Sequence, residues 1–157
     1  MLKIYQHLLK PNNFITILML IVSFKAFSND DIFFENLISD NIKQTQYSAL
    51  IKTASAEPIA DIRSDSGSIG YISYKFIAEV ELVFKGILKN QIEYYVTYEA
   101  GIKPVISLHS QIISLCLSKE NRLYVPDNGY RIDATAKLIK IAKKAASETT
   151  ENKNTCR

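Results

Sequence analysis

Four side chains near the middle of the sequence, Ser107, His109, Ser110 and Cys116, have the types and spacing for nucleophilic chemistry. A serine or thiol beside a histidine becomes a nucleophile when the imidazole takes its proton, and an aspartate often orients that imidazole. No recognisable catalytic motif, such as a nucleophile elbow, surrounds these residues. We therefore predict no catalytic residue, and we retain an envelope hydrolase that uses Cys116 or His109 as the alternative from another functional class.

Paired carboxylates offer a second route to chemistry, because two neighbouring acids can divide the roles of acid and base. Glu79 and Glu81 are two positions apart in a predicted strand, about 7 Å on one face, and Glu93 and Glu99 could lie opposite them. Nearby lysines favour a charge-balanced, solvated surface instead. The cysteine and histidine spacing does not fit a metal site. We accordingly predict no bound metal and no cofactor.

Tyrosines in the predicted strands suggest a binding surface. A partly exposed tyrosine gives a partner a large, rigid contact area, although strands also favour tyrosine for packing alone. Tyr95 shares an outward face with Glu93 and Thr97 in an alternating segment. We predict that these three residues contact a partner, and we expect a protein in the cell envelope or outside the cell.

The stretch from Ile72 to Gly86 must position most of these residues. Apolar and polar side chains alternate along it for fourteen residues, which predicts one long strand that bends to serve two layers. A short connection leads to a second alternating segment, Asn90 to Ala100, so the two should form an antiparallel hairpin. The other predicted elements are a helix over 30–42, a strand over 47–56, a loop over 58–70, strands over 111–117 and 122–125, and a helix capped by Asp133 that ends near Glu148.

This order of elements predicts a mostly β, α+β domain, because helices stand at the two ends and do not alternate with strands. We expect a small five- to six-stranded antiparallel barrel of OB type. The alternative is a curved open sheet with one helix packed on it.

The pattern Tyr74-x-Phe76-x-x-x-Val80-x-x-Val83-Phe84-Lys85-Gly86, with the later strand 112–117 and Tyr124, resembles the OB-fold domains of netrin-like modules and tissue inhibitors of metalloproteinases. The resemblance covers roughly residues 47–130 and implies the barrel scaffold. Those inhibitors act through an N-terminal Cys-x-Cys, whereas this chain has no cysteine before Cys116. The resemblance therefore does not imply that this chain inhibits metalloproteinases in the way that the family does. Inhibition of an envelope or secreted enzyme stays an alternative function.

The first 28 residues have the layout of a signal peptide: a basic start, an apolar core over 14–24 and small residues before Asn29. We predict a signal peptide over 1–28, one β-rich domain over 29–148 and a polar tail over 149–157, with a periplasmic or secreted location. Three of the nineteen basic residues fall in the signal, which leaves sixteen against sixteen acidic ones. This neutral balance argues against a nucleic-acid partner. The apolar run of the signal is about half as long as a spanning helix requires, so we also predict no stable membrane insertion after cleavage.

Cys116 and Cys156 both follow the predicted cleavage site. In an oxidising compartment two cysteines favour a disulfide, which here would tie the C-terminal tail to a strand. Two free thiols are the alternative.

Overall fold

The computed structural model describes residues 32–63, 67–149 and 156. The chain divides into two units, Met1–Asn36 and Leu37–Arg157, and the strands lie in the second. A helix over residues 32–44 (α1) comes first. The elements that follow are β1 (Tyr47–Arg63), β2 (Ile69–Lys85), β3 (Gln91–Glu99), β4 (Gln111–Leu117), β5 (Leu123–Tyr124), a 3-10 turn (Asn128–Tyr130), β6 (Arg131–Asp133) and α2 (Ala136–Ser147).

Five strands close into a ring. Hydrogen bonds join them in the order β1-β2-β3-β5-β4, β4 pairs back with β1, and β6 adds to β4. The OB-like barrel with a helix at each end is thus confirmed, although the sheet is mixed because β3 and β5 are parallel. β4 is antiparallel to β3. Because β5 is antiparallel to β4, β5 must be parallel to β3.

The long strand β2 contributes to two packing layers. Phe76 and Ala78 are fully buried in the barrel interior with Tyr94 of β3. Phe84, in contrast, packs against a second buried cluster, which contains residues of both helices. Register shifts recur along its pairing with β1. Because such bulges bend and twist a strand, one continuous β2 can serve both layers.

The two helices cover the outer face of β4. Ile42 of α1, Ile112 of β4 and Ala142 of α2 belong to one buried cluster on that face. The helix α2 begins after Thr135, whose hydroxyl accepts a hydrogen bond from the backbone N–H of Leu138 at 3.2 Å. The predicted cap at Asp133 is wrong, because that residue lies in β6.

The predicted loop over 58–70 is also wrong. β1 continues to Arg63 and β2 begins at Ile69, so the two strands form one long ribbon through Pro58. Its pairing with β4 extends only as far as Ile51. Beyond that point β1 has a free edge among the described residues, and a proline is tolerated on an edge strand.

The predicted signal peptide over 1–28 lies outside the described residues, as does most of the predicted tail over 149–157. In the part of the chain that the structure describes, neither helix combines the length and the apolar character needed to span a bilayer.

Candidate functional site

The predicted partner-binding residues lie together on the outer face of the barrel. Along β3, Tyr94 is fully buried, whereas Glu93 and Thr97 are exposed and Tyr95 is half-buried. This alternation follows from the two-residue period of a strand. The helices cover β4 on another part of the barrel. The surface around Tyr95 is therefore separate, and we call it the Tyr95 face: the outward residues of β3 and β5 with the flanking turns over 86–90 and 118–122.

Tyr95 lies in a row of outward residues that crosses four strands. Glu57 of β1 pairs with Lys75 of β2, Lys75 with Tyr95, and Tyr95 with Tyr124 of β5. The ammonium nitrogen of Lys75 is 2.7 Å from a Glu57 carboxylate oxygen. This hydrogen bond and the charges of Glu57 and Glu93 raise the pKa of Lys75 above its ordinary value. The lysine in the row is therefore already balanced by acids of its own sheet.

Arg122 extends over the ring of Tyr95. Its guanidinium carbon is 5.5 Å from the ring centroid, within the range of a cation–π contact. The turn before β5 holds it there: Asn121 has a left-handed backbone (φ 60°), and the Ser118 hydroxyl accepts the backbone N–H of Arg122 at 3.3 Å. Asparagine is one of the few residues that adopt this conformation readily, so the turn suits its sequence.

Tyr95 borders two depressions. The larger, of 580 Å³, lies between the turn over 86–90 and the turn over 118–122, with Ile77, Glu93 and Tyr95 among its lining residues. The smaller, of 310 Å³, is lined by Tyr95, Thr97 and the segment 124–128. The Thr97 hydroxyl lies 3.1 Å from that of Ser73 on the neighbouring strand. One half-buried ring thus forms the ridge between two concave surfaces.

The wall formed by the turn over 86–90 depends on Gly86. Its φ of +77° is left-handed, and a Cβ there would lie 2.5 Å from the Tyr47 ring and 3.0 Å from the Gln46 carbonyl oxygen. Only glycine fits both the conformation and the space. The next residue, Ile87, is 93% exposed at the edge of the larger depression, so an apolar side chain is available to a partner beside Tyr95.

The residues considered for nucleophilic chemistry do not assemble into a triad. The Ser107 hydroxyl donates to Asp133 at 3.3 Å, and the backbone N–H of His109 donates to Ser107 at 3.1 Å. Within the described ranges, no hydrogen bond links the exposed imidazole of His109 to Ser107, Ser110 or Asp133. A serine therefore contacts an aspartate directly, without the histidine that would take its proton.

Cys116 and Cys156 form a disulfide with their Cα atoms 5.5 Å apart, as predicted. Cys116 is almost completely buried on β4, and neither cysteine carries a free thiol. The bonded sulfur cannot act as a thiolate nucleophile. Glu79 and Glu81 are exposed, and within the described residues no three acidic, histidine or cysteine side chains converge as a metal site would require.

Sequence reasoning overlooked Arg122, the residue that completes the Tyr95 face. Its signal was weak: a cation after a four-residue polar turn, with nothing local to indicate which strand β5 would join. No protein-family model and no curated protein matches the chain. The netrin-like resemblance therefore rests on its strand pattern, and function must be argued from the site itself.

Proposed function

We propose that this protein is a small exported, non-enzymatic domain that binds a protein partner through the Tyr95 face. One observation carries the proposal: Tyr95, half-buried under Arg122, separates two depressions on a face that the helices leave uncovered. Tyrosine and arginine are enriched where binding energy concentrates in protein interfaces. The Tyr95 ring is already half-buried and in contact with Arg122, so part of its ordering precedes the binding of a partner.

The composition of the larger depression favours a protein over a nucleic acid. Its lining combines the apolar Ile87 with the acidic Glu93 and with two basic residues, Lys89 and Arg122. A phosphate backbone would instead require a cluster of positive charge. An apolar centre with mixed polar edges is typical of protein interfaces.

The proposed export rests on two observations. The segment over 1–28 resembles a signal peptide that would direct export. The Cys116–Cys156 disulfide suits an oxidising compartment outside the cytoplasm. The partner would accordingly be an envelope or extracellular protein. If that partner is an enzyme, the domain would act as its inhibitor or adaptor.

The experiment compares three immobilised baits: the wild-type protein, Tyr95→Ala and Tyr71→Ala. Tyr71 is the matched control, because it is another exposed outer-face tyrosine, 48% exposed, on β2 and outside both depressions. Envelope and culture-fluid proteins of the source organism are passed over each bait and quantified by mass spectrometry. We expect a partner that wild type and Tyr71→Ala retain and that Tyr95→Ala loses.

The affinity of the identified partner is then measured by calorimetry. Loss of a central interface tyrosine should weaken binding by at least about ten-fold, and Arg122→Ala should weaken it in the same direction. The proposal is wrong if no protein prefers wild type over Tyr95→Ala, or if Tyr71→Ala causes an equal loss. Circular dichroism of each variant confirms that the barrel is intact.

A further inference from the structure

Arg131 is a half-buried cation on the opposite side of the barrel wall from Tyr95. It lies on β6, where it pairs with Ile113, a fully buried residue of the barrel core. Its Nη2 donates to the Tyr98 hydroxyl at 2.9 Å, and its guanidinium carbon is 5.2 Å from the centroid of the Phe76 ring. The cation is therefore surrounded by inward-facing aromatic residues of β2 and β3.

The charge of Arg131 has no carboxylate partner among the described residues. Burial works against the charged form, but the interactions with Tyr98 and Tyr94 outweigh it and raise the pKa of Arg131 above its ordinary value. An arginine guanidinium is in any case charged at physiological pH. Buried charges are normally paired, because an unpaired one loses hydration without compensation.

Some of the Arg131 N–H groups remain available to solvent. A guanidinium has five N–H donors, and the contacts in this structure use those that face Tyr98 and Tyr94. Within the described residues, no fully buried side-chain nitrogen or oxygen lacks a hydrogen-bond partner. A guanidinium nitrogen of Arg131 that has no protein acceptor is therefore at least partly exposed, which gives an anion a point of approach.

We propose that Arg131 binds the carboxylate of a ligand at this aromatic end of the barrel. The planar fork of a guanidinium matches the two oxygens of a carboxylate, and the bond is stronger when both groups are charged. Tyr98 fixes the guanidinium from one side, and Phe76 supports its face. Tyr74 and Tyr98, in edge contact at 5.8 Å, provide an adjacent apolar surface for the carbon skeleton of the acid.

The same chemistry could belong to a free organic acid or to a carboxyl group of a peptide. The two sources can be separated, because only a peptide ligand would bind more tightly when residues precede its carboxyl group. The Arg131 site is independent of the Tyr95 face, since the side chains of Tyr94 and Tyr98 project from the face of β3 opposite to Tyr95. Failure of one proposal therefore leaves the other intact.

The test uses the small number of arginines in this chain: Arg63, Arg122, Arg131 and Arg157. Their side-chain Nε–H signals are followed by NMR while ¹⁵N-labelled protein is titrated at constant pH and ionic strength. The probes are sodium acetate, sodium phosphate, acetyl-dialanine with a free carboxyl group and its amidated form. We expect a saturable shift of the Arg131 signal with acetate and with the acidic dipeptide, and none with the amide.

Tighter binding of the dipeptide than of acetate indicates a peptide ligand, and equal binding indicates a free acid; each supports the carboxylate site. The proposal is overturned if the Arg131 signal shows no saturable shift, if Arg63 and Arg122 shift equally, or if phosphate saturates the site more tightly than acetate. Arg131→Lys identifies the signal, and calorimetry should show binding at least about ten-fold weaker. Arg63→Lys is the control and should bind as wild type does, because the Arg63 guanidinium donates to the Gly67 carbonyl oxygen and lies outside both proposed sites. If Arg131→Lys does not fold, the Arg131 signal is assigned by exclusion from the spectra of Arg63→Lys, Arg122→Lys and Arg157→Lys, and the wild-type titration decides.

Discussion

Gly86→Ala should destabilise the protein by about 2 to 5 kcal/mol. The left-handed backbone at Gly86, with φ +77°, costs a non-glycine residue about 1 to 2 kcal/mol. The new methyl group would also lie 2.5 Å from the Tyr47 ring and 3.0 Å from the Gln46 carbonyl oxygen. Forcing extra volume into a packed site typically costs about 1 to 3 kcal/mol more. The two costs add because one is in the backbone and the other in the packing.

Gly101→Ala is the matched control. Gly101 has a similar left-handed φ of +94°, but no atom lies within 4 Å of the position that a methyl group would occupy there. Its substitution should therefore cost only the backbone share, about 1 to 2 kcal/mol. Both exchanges restrict the unfolded chain in the same way, so that contribution cancels in the comparison. The difference between the variants measures the clash alone.

The free energy of unfolding is measured by urea titration with the disulfide intact. We expect Gly86→Ala to lose about 1 to 3 kcal/mol more than Gly101→Ala. In a Tyr47→Ala background this excess should shrink, because the nearest clashing atom belongs to the Tyr47 ring. Equal losses in the two alanine variants would refute the close packing of the turn against β1, and with it the wall of the larger depression.

Two further predictions concern stability. Cys156→Ser should lower the free energy of unfolding by about 4 kcal/mol, because the disulfide closes a loop with a sequence separation of 40. Urea titrations measure this loss, and a value below about 1 kcal/mol would contradict the chain-entropy account. Burial raises the pKa of Tyr94 above 10.0, so its neutral form stabilises the folded state fully below pH 10.0, and this contribution is lost as pH rises through the folded pKa. Urea titrations across this range should show a smaller alkaline loss for Tyr94→Phe than for wild type; an equal loss would contradict burial as the cause.

The barrel was predictable wherever side chains alternate without interruption. In β2 and β3 the apolar residues recur at every second position, and Phe76 and Tyr94 are fully buried as this period requires. The same period placed Tyr95 on the outer face. The continuous apolar run of β4 indicated a strand covered on both sides, and Ile112 and Ile113 indeed enter two different clusters.

Other features depend on partners far away in the chain and could not be read locally. The second half of β1 contains Pro58 and little alternation, and it is a strand because β2 pairs with it along its whole length. The pairing of Asp133 with β4 decides which residue caps α2, because it leaves that role to the side chain of Thr135. Arg122 and Arg131 likewise acquire their aromatic partners only when β5 and β6 join the sheet.

The exposed edge of β1 illustrates how this ribbon avoids unwanted pairing. From Lys52 to Arg63 the strand has no partner on one side among the described residues, a geometry that invites association between chains. Pro58 removes one backbone donor, and register shifts near it disturb the regular spacing of the others. Glu57, Asp61 and Arg63 add exposed charge.

The strands of the barrel differ in what packs on their outer faces. The helices pack on β4, and the disulfide joins β4 to Cys156, so these tertiary contacts lie on the β4 side of the barrel. In the described part of the chain β3 has no such cover. It carries Tyr95 outward beside Arg122 of the turn before β5, and Tyr98 inward beside Arg131 of β6. Substitutions of the exposed residues around Tyr95 should therefore alter the proposed binding and leave the β4 side intact. Because Tyr95 and Tyr98 project from opposite faces of β3, the two proposed sites can be tested one at a time.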